Sequence, residues 1–376
     1  MTALEVLFWV SAGLLVYTQV GYGLLLSGLA LLLHRQQGSP SWPGELPRVS
    51  VIVAAYAEQD VIAARVANLR ALVYPADKLE VIVACDGSPD ETAWRAREAG
   101  ADRVLELPRA GKIPAQDAAV AEAHGELLAF TDANSDWQPD ALYRLVAAFG
   151  DERVGYVCGD VRFIDDGGEN QEGLYWRYEM RLRRLESELA SVTAGNGAIY
   201  ATRPESYLVV KPMMGHDISF PFNMVKRGWR AVYATDACAS ERMAPSIDGE
   251  YARKRRMATS TWPTVILGGM LSPRGYDPMY ALMIFSHRVL RYLSPFLHLI
   301  ALGGSIALIG RGRVYLAAAG VQMLVLAGAA LATVVPVRPL LVARYYVVTT
   351  ASLAVGLWDW LTGASLAAWE PVEGTR

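Results

Sequence analysis

Val81–Pro89 reads VIVACDGSP and Leu127–Asp136 reads LLAFTDANSD. Each is a short apolar run that breaks off into acidic and small polar residues. Runs of this length rich in Val, Ile and Leu fit strands buried on both faces of a parallel sheet. Open α/β sheets bind ligands just beyond the carboxyl ends of such strands. Asp86 and Asp132 both fall there, and carboxylates at that place suit contacts to a base or ribose and to a divalent metal.

Working outward, the 48–260 stretch alternates strand and helix. Strands are expected at 49–55, 79–84, 103–107, 127–131 and 154–158, with helices at 58–73, 90–99, 115–123 and 140–149. This order implies an α/β fold with a doubly wound, mostly parallel sheet. The pattern then loosens. Residues 174–189 read as a charged amphipathic helix and 193–200 (TAGNGAIY) as a glycine-rich turn entering a strand. GHD at Gly215 opens a helix through Lys226, 231–233 is a short strand and 250–257 (EYARKRRM) a basic helix.

The ends are of another kind. The 376-residue chain is 53% hydrophobic, and the excess is concentrated at its termini. Residues 4–33 exceed the roughly 20 residues that a span requires. They start acidic, which disfavours a signal peptide. Residues 1–35 are therefore expected to hold a transmembrane helix, and 36–47, rich in Pro, Gly and Ser, a linker. Residues 261–287 are apolar but interrupted by Pro263, Gly268, Gly269, Pro273 and Pro278, a pattern of interfacial helices. The runs 289–309, 314–335 and 340–361 make 288–376 a region of three membrane helices. Arg288, Arg291, Arg338 and Arg344 put the central domain on the cytoplasmic side of a bacterial inner membrane, while Arg311 and Arg313 oppose that rule. A net charge of −3 gives no nucleic-acid signal, and Cys85, Cys158 and Cys238 form no metal-binding spacing.

Seven stretches in order carry a resemblance. They are VSVIVAAYAE from Val49, CDGSPDET from Cys85, GKIPAQDAAV from Gly111, FTDANSD from Phe130, GNGAIYATR from Gly195, GHD at Gly215 and RKRRM from Arg253. Together they resemble the membrane-bound family 2 glycosyltransferases, related to cellulose and hyaluronan synthases, over roughly residues 48–262. The resemblance implies a GT-A fold and an inverting transfer of one sugar from a nucleotide diphosphate sugar, a UDP-sugar rather than a GDP-sugar. It further implies a lipid-linked or glycan acceptor and a divalent cation, Mg2+ or Mn2+.

It also implies site roles. Asp86 reads the base, with Tyr56 and Glu58 lining the same crevice. As residues alone, Asp86 also fits a helix cap and Glu58 a helix start. Asp132 and Asn134 stand at the family's DxD motif, where Asn134 offers a neutral carbonyl in place of a second carboxylate, and Asp136 is the substitute nearby. Lys112, opening a helix after a glycine, suits a phosphate, or is a surface lysine. Asp217 is the general base. His216 orients it, binds phosphate or packs. Gly195, Asn196 and Gly197 present backbone amides to donor or acceptor, or simply turn the chain. Arg256 sits where processive members place an arginine on the diphosphate, while Met257 replaces their acceptor-site tryptophan. The helix of 253–256 would turn Arg256 inward and Lys254 outward. A processive polysaccharide synthase and a non-catalytic nucleotide-sugar-binding membrane subunit are the alternatives.

Overall fold

The computed structural model describes residues 1–33, 41–164, 173–242 and 247–363. The first part of the expected linker and the chain after residue 363 lie outside the described residues. Eight strands form one sheet: β1 (Val49–Ala55), β2 (Leu79–Asp86), β3 (Arg103–Leu107), β4 (Leu127–Asp132), β5 (Asp136–Trp137), β6 (Val154–Ile164), β7 (Tyr200–Thr202) and β8 (Arg230–Arg242). Their order is β3-β2-β1-β4-β7-β6-β8-β5. The first four are parallel, β7 runs against both of its neighbours, and β8 is parallel to β6.

Every residue of β1 and β2 is buried, as expected of strands covered on both faces. One face packs Val51, Val53, Val81 and Ala129 under α2 (Ile62–Arg70), α3 (Thr92–Glu98) and α5 (Ala141–Ala148). The other packs Ile52, Ile82, Leu128 and Phe130 under α4 (Lys112–Ala121) and α7 (His216–Lys226). A fully buried aliphatic side chain contributes about 1.5–3 kcal/mol, so these layers fix the sheet. Three strand expectations need correction. β6 and β8 continue well past the apolar segments that announced them, because each supplies the other's hydrogen bonds through polar residues such as Asp160 and Arg162. The two-residue β5 had no apolar run to mark it.

The chain goes from β1 to β2 on one side and later to β4 on the other, so the order reverses between β1 and β4. Ala54 lies opposite Asp132 and Ala55 opposite Cys85. The carboxyl ends of the three strands are thus level, and residues 56–58, 86 and 132–134 emerge along one edge at the switch point.

Among the described residues, three helices are long and apolar enough to cross a membrane: α1 (Ala3–Leu32), α11 (Arg313–Leu331) and α12 (Arg338–Leu361). A fourth span exists if α9 (Pro278–Tyr292) and α10 (Ser294–Ala307), bent by 63°, count as one. The expected continuous span at 289–309 is therefore broken, because Pro295 restarts a helix in its first turn and cannot donate to the preceding one. Pro263, conversely, does not interrupt: α8 (Ile247–Ile266) runs through it, and the break comes at the two glycines that follow. In α1 the acid that begins the chain closes a capping box with Thr2, and Arg311 lies 3.4 Å from the same Glu5. The arginine that opposed the charge rule thus meets an acid at that end of the helices. α6 (Gly173–Leu189) joins the two regions, its Leu182 packing with Tyr22, Phe222, Trp262 and Tyr280 in one core.

Candidate active site

The turn after β1 is built by the segment after β2. The Ala57 amide donates to Ser88 Oγ at 3.0 Å and the Glu58 amide to Thr92 Oγ1 at 2.9 Å. These bonds hold Ala57 at φ 51°, a region non-glycine residues rarely enter. Asp86 is fully buried. It accepts from Arg109 at 2.5 Å and from the amides of Ala110 and Gly111 at 2.6 and 2.9 Å. The Arg109 guanidinium in turn lies 3.3 Å from the centre of the Tyr56 ring. Asp86 thus shapes the loop that opens α4. Arg109 was missed in the sequence; its signal was a cation two residues before the glycine that starts a helix.

Gly111, at φ 103°, caps α4 and delivers Lys112 to its first turn. The Lys112 ammonium sits on Asp132 Oδ1. Burial alone would lower its pKa, but Asp132 and, further off, Asp217 and Glu241 raise it. Gly197 closes over this pair: a Cβ there would stand 3.2 Å from Lys112 Nζ and 3.3 Å from Asp132 Oδ2. Asn196 is fixed by donating to the Gly159 carbonyl at 2.7 Å and accepting from the Ile199 amide at 2.9 Å. Gly195 leaves no room for a side chain against the Tyr156 hydroxyl.

Asp217 stands in the first turn of α7, where its backbone carbonyl accepts from the Gly195 amide at 2.7 Å. Burial pushes its carboxyl pKa up, while Lys112 and the Ile218 amide pull it back. The neighbouring His216 is buried and stacks on Phe220, with ring centres 3.9 Å apart, and its Nδ1 meets the Tyr200 hydroxyl at 2.8 Å. Burial, with the nearby Lys112, lowers its pKa to about 3, so the ring is neutral and packed.

Glu58, Lys112, Asp132, Gly195, Asn196, Gly197, His216 and Asp217 share one cavity of about 620 Å³, whereas Tyr56 and Arg109 do not line it. Glu58, Lys112, Asp132, Asn134 and Asp217 line its sheet end. Arg256 and Met257 of α8 line it from the other side, and α9 and α12 complete the wall. The expectation that Lys254 points outward is corrected. It lines the same cavity, bonded to the Tyr345 hydroxyl of α12, because Arg255 is clamped to Asp359 at 2.6 Å and turns this face of α8 toward α12. The Arg253 side chain lies outside the described residues. Asp136 is exposed on β5 and Asp86 lies behind its own loop, so neither is on this wall.

A buried polar network also went unseen. His287 lies 2.6 Å from Glu186 and 3.1 Å from Glu179. Glu186 further accepts from Tyr22 and Thr193, and Arg291 pairs with Glu179. Although burial alone would raise it, His287 and Arg288 hold the Glu186 pKa down to about 2. The network ties α1 and α9 to the loop bearing Gly195.

As to a metal, no group of three or more His, Cys, Asp or Glu among the described residues is placed to hold one. Asp132 with the Asn134 carbonyl is a hard-oxygen pair of the kind that binds Mg2+ or Mn2+ together with substrate phosphates.

Residues 50–206 match the Glycosyl transferase family 2 profile. A probable glycosyltransferase of Bacillus subtilis, YdaM, is 31% identical over 42% of this chain and 41% of its own. An N-acetylglucosaminyltransferase of Rhizobium meliloti is 27% identical over 63% and 60%, respectively. A beta-monoglucosyldiacylglycerol synthase of Trichormus variabilis is 36% identical over 30% and 26%. The chain thus spans less than two thirds of these relatives. A solved structure of a mannosyltransferase from Pyrobaculum calidifontis, in complex with GDP-Man and Mn2+, superposes over 94% of this chain and 99% of its own. The TM-score is 0.73 at 24% identity, a likeness of fold.

Proposed function

Since residues 50–206 form a family 2 glycosyltransferase domain on a GT-A fold, we propose that the chain transfers one sugar, with inversion, from a nucleotide diphosphate sugar to a lipid-linked acceptor hydroxyl. We place the reaction at the cytoplasmic face of a bacterial inner membrane. The observation that carries the reading is a single cavity in which a carboxylate of raised pKa, Asp217, faces the Lys112–Asp132 pair.

The nucleoside lies along the edge formed by Tyr56, Glu58 and the loop that Asp86 holds. UDP remains the expected donor nucleotide on the family resemblance alone, since the Asp86 carboxylate is taken up by Arg109 and the Ala110 and Gly111 amides. Asp132 and the Asn134 carbonyl would hold a divalent cation, Mg2+ or Mn2+, which when bound neutralises diphosphate charge. Lys112 and Arg256 add fixed positive charge for the leaving diphosphate. Asp217 accepts the proton of the acceptor hydroxyl as it attacks the anomeric carbon from the face opposite the diphosphate. A carboxyl pKa lifted toward the working pH makes a stronger base, and general base catalysis contributes about 10²–10⁴-fold. Gly197 lets the sugar approach, because any side chain there would press on the Lys112–Asp132 pair. The membrane assignment is supported by the membrane-length helices and by the shared core of Tyr22, Leu182, Phe222 and Trp262.

The test is incubation of purified protein with membrane lipid extract and a panel of labelled nucleotide sugars, followed by mass spectrometry and NMR of the product. The reading requires a lipid product whose anomeric configuration is opposite to that of the donor. A retained configuration removes Asp217 from its role.

A further inference from the structure

The interior of α7 holds a proline, Pro221, four residues after Asp217. Proline has no N–H to donate, and its ring presses on the carbonyl four residues before it. The Asp217 carbonyl therefore lacks the donor that an α-helix would place there. The Gly195 amide takes that place at 2.7 Å, across from the loop that precedes β7. The peptide that carries the Asp217 side chain is thus bonded to a loop rather than to the next turn of its own helix.

That loop is gripped from α6. Arg183 donates Nη2 to the Gly195 carbonyl at 3.1 Å. Three residues on and on the same face, Glu186 Oε2 accepts from the Thr193 amide at 3.1 Å and from its hydroxyl at 2.9 Å. The other oxygen of this carboxylate turns to the membrane helices. Oε1 accepts from the Tyr22 hydroxyl of α1 at 2.6 Å and lies 2.6 Å from Nδ1 of His287 in α9. Arg288 of α9 adds a bond from Nε to Thr193 Oγ1 at 2.8 Å. Glu186 and Thr193 are fully buried, so water does not replace a bond lost here, and the loop is held in one place.

Resting on the general-base role proposed above for Asp217, we infer that Pro221 is a positioning residue for that base. By withholding the helical donor it leaves the Asp217 carbonyl to Gly195, so the loop and not the helix sets the carboxylate. Arg183 and Glu186 are the positioning residues that set the loop. Because Glu186 divides its oxygens between Thr193 and the Tyr22–His287 pair, the docking of α1 and α9 reaches Asp217 along this path. None of the three takes part in donor binding.

The test uses the full chain in nanodiscs with a labelled nucleotide sugar and membrane lipid extract. It reads apparent kcat, donor KM, nucleotide affinity by calorimetry and Tm. Pro221→Ala restores an N–H four residues after Asp217 and favours the helix, so Tm should hold or rise. It should nevertheless lower kcat about tenfold or more, since a misplacement of about 1 Å costs on the order of 10²-fold. Donor KM and nucleotide affinity should stay within about twofold. Arg183→Met should lower kcat in the same way. Arg183→Lys, whose ammonium still donates to the Gly195 carbonyl, should recover most of the loss, and this pair carries the test if Pro221→Ala lowers Tm. Each substitution is repeated in the Asp217→Asn background, where it should cause no further loss of the residual rate, because a residue that acts through Asp217 is then coupled to nothing. Wild-type kcat in Pro221→Ala, equal losses in Arg183→Met and Arg183→Lys, weakened nucleotide binding, or a full further loss in the Asp217→Asn background each overturns the inference while leaving glycosyl transfer intact. Near-normal turnover by Asp217→Asn alone removes the general-base reading and the inference with it.

Discussion

Replacing Asp217 by Asn keeps the side chain's shape and removes its basicity. Loss of a general base costs about 10²–10⁴ in kcat, or about 3–5 kcal/mol of barrier at 1.36 kcal/mol per tenfold. Nucleotide affinity should stay within a few-fold, because Lys112, Asp132 and the Tyr56 edge are untouched. The structure adds a second, opposite effect. Burial raises the Asp217 pKa above that of an unfolded aspartate. For a carboxyl the sign follows directly: a raised folded pKa stabilises the protein only below the unfolded value of about 3.9, and that contribution is lost as pH rises through the folded pKa. At neutral pH the ionised carboxylate is thus a burden on the fold, and Asn relieves it. Asp217→Asn should therefore be nearly inactive yet more heat-stable than the parent at pH 7.5, the gap closing toward pH 4. Product formation by mass spectrometry and thermal unfolding in detergent, without metal or donor, measure both. Near-normal turnover, or a lower Tm at pH 7.5, would refute the reasoning. In the parent, the rate should fall as pH drops through the raised pKa, above the range of an ordinary aspartate.

Transfer should stop in EDTA and return with Mg2+ or Mn2+, and Asn134→Asp should lower the metal concentration required, because a second carboxylate joins Asp132; a titration of initial rate decides it. The product should be the acceptor plus one sugar even with excess donor, since Met257 offers no aromatic platform at the acceptor side, and a ladder on a gel would favour a processive synthase. Gly356→Leu should strain the α8–α12 crossing, where a Cβ already meets the Ala258 carbonyl carbon at 2.9 Å and the Thr259 amide at 3.0 Å. Overpacking costs about 1–3 kcal/mol, so Tm should fall and transfer with it, while nucleotide binding, seated on the sheet, should hold.

The sheet was legible because its strands are buried on both faces and so are written as unbroken apolar runs ending in chemistry-bearing residues. That is why the strand-end positions of Asp86 and Asp132 could be read from sequence, and Asp132 lines the cavity while Asp86 does not. Polar strand segments such as those of β6 and β8 were not, since their pairing is supplied by a partner that sequence spacing does not reveal. The Glu179–Glu186–His287 network was invisible for the same reason: its meaning lies in contacts between residues more than a hundred positions apart. The break at Leu293 was in principle readable, as Pro295 follows it, but a long apolar run masks one proline. Asp359, a lone acid inside an apolar helix, was the clearest overlooked signal. It holds Arg255 and so turns the whole basic helix.

That pairing also orders the protein's biosynthesis. α12 meets α8 through Tyr345 with Lys254, Trp262 with the Leu353 carbonyl at 2.8 Å, Gly356 with Ala258, and Asp359 with Arg255. The strands of the sheet are complete long before α12, the last of the described helices, leaves the ribosome, and domains fold in the order they emerge. A nascent chain therefore holds a finished nucleotide crevice whose far wall does not yet exist. The cavity therefore closes last, when α12 brings Tyr345, Thr349 and Leu353 to its wall.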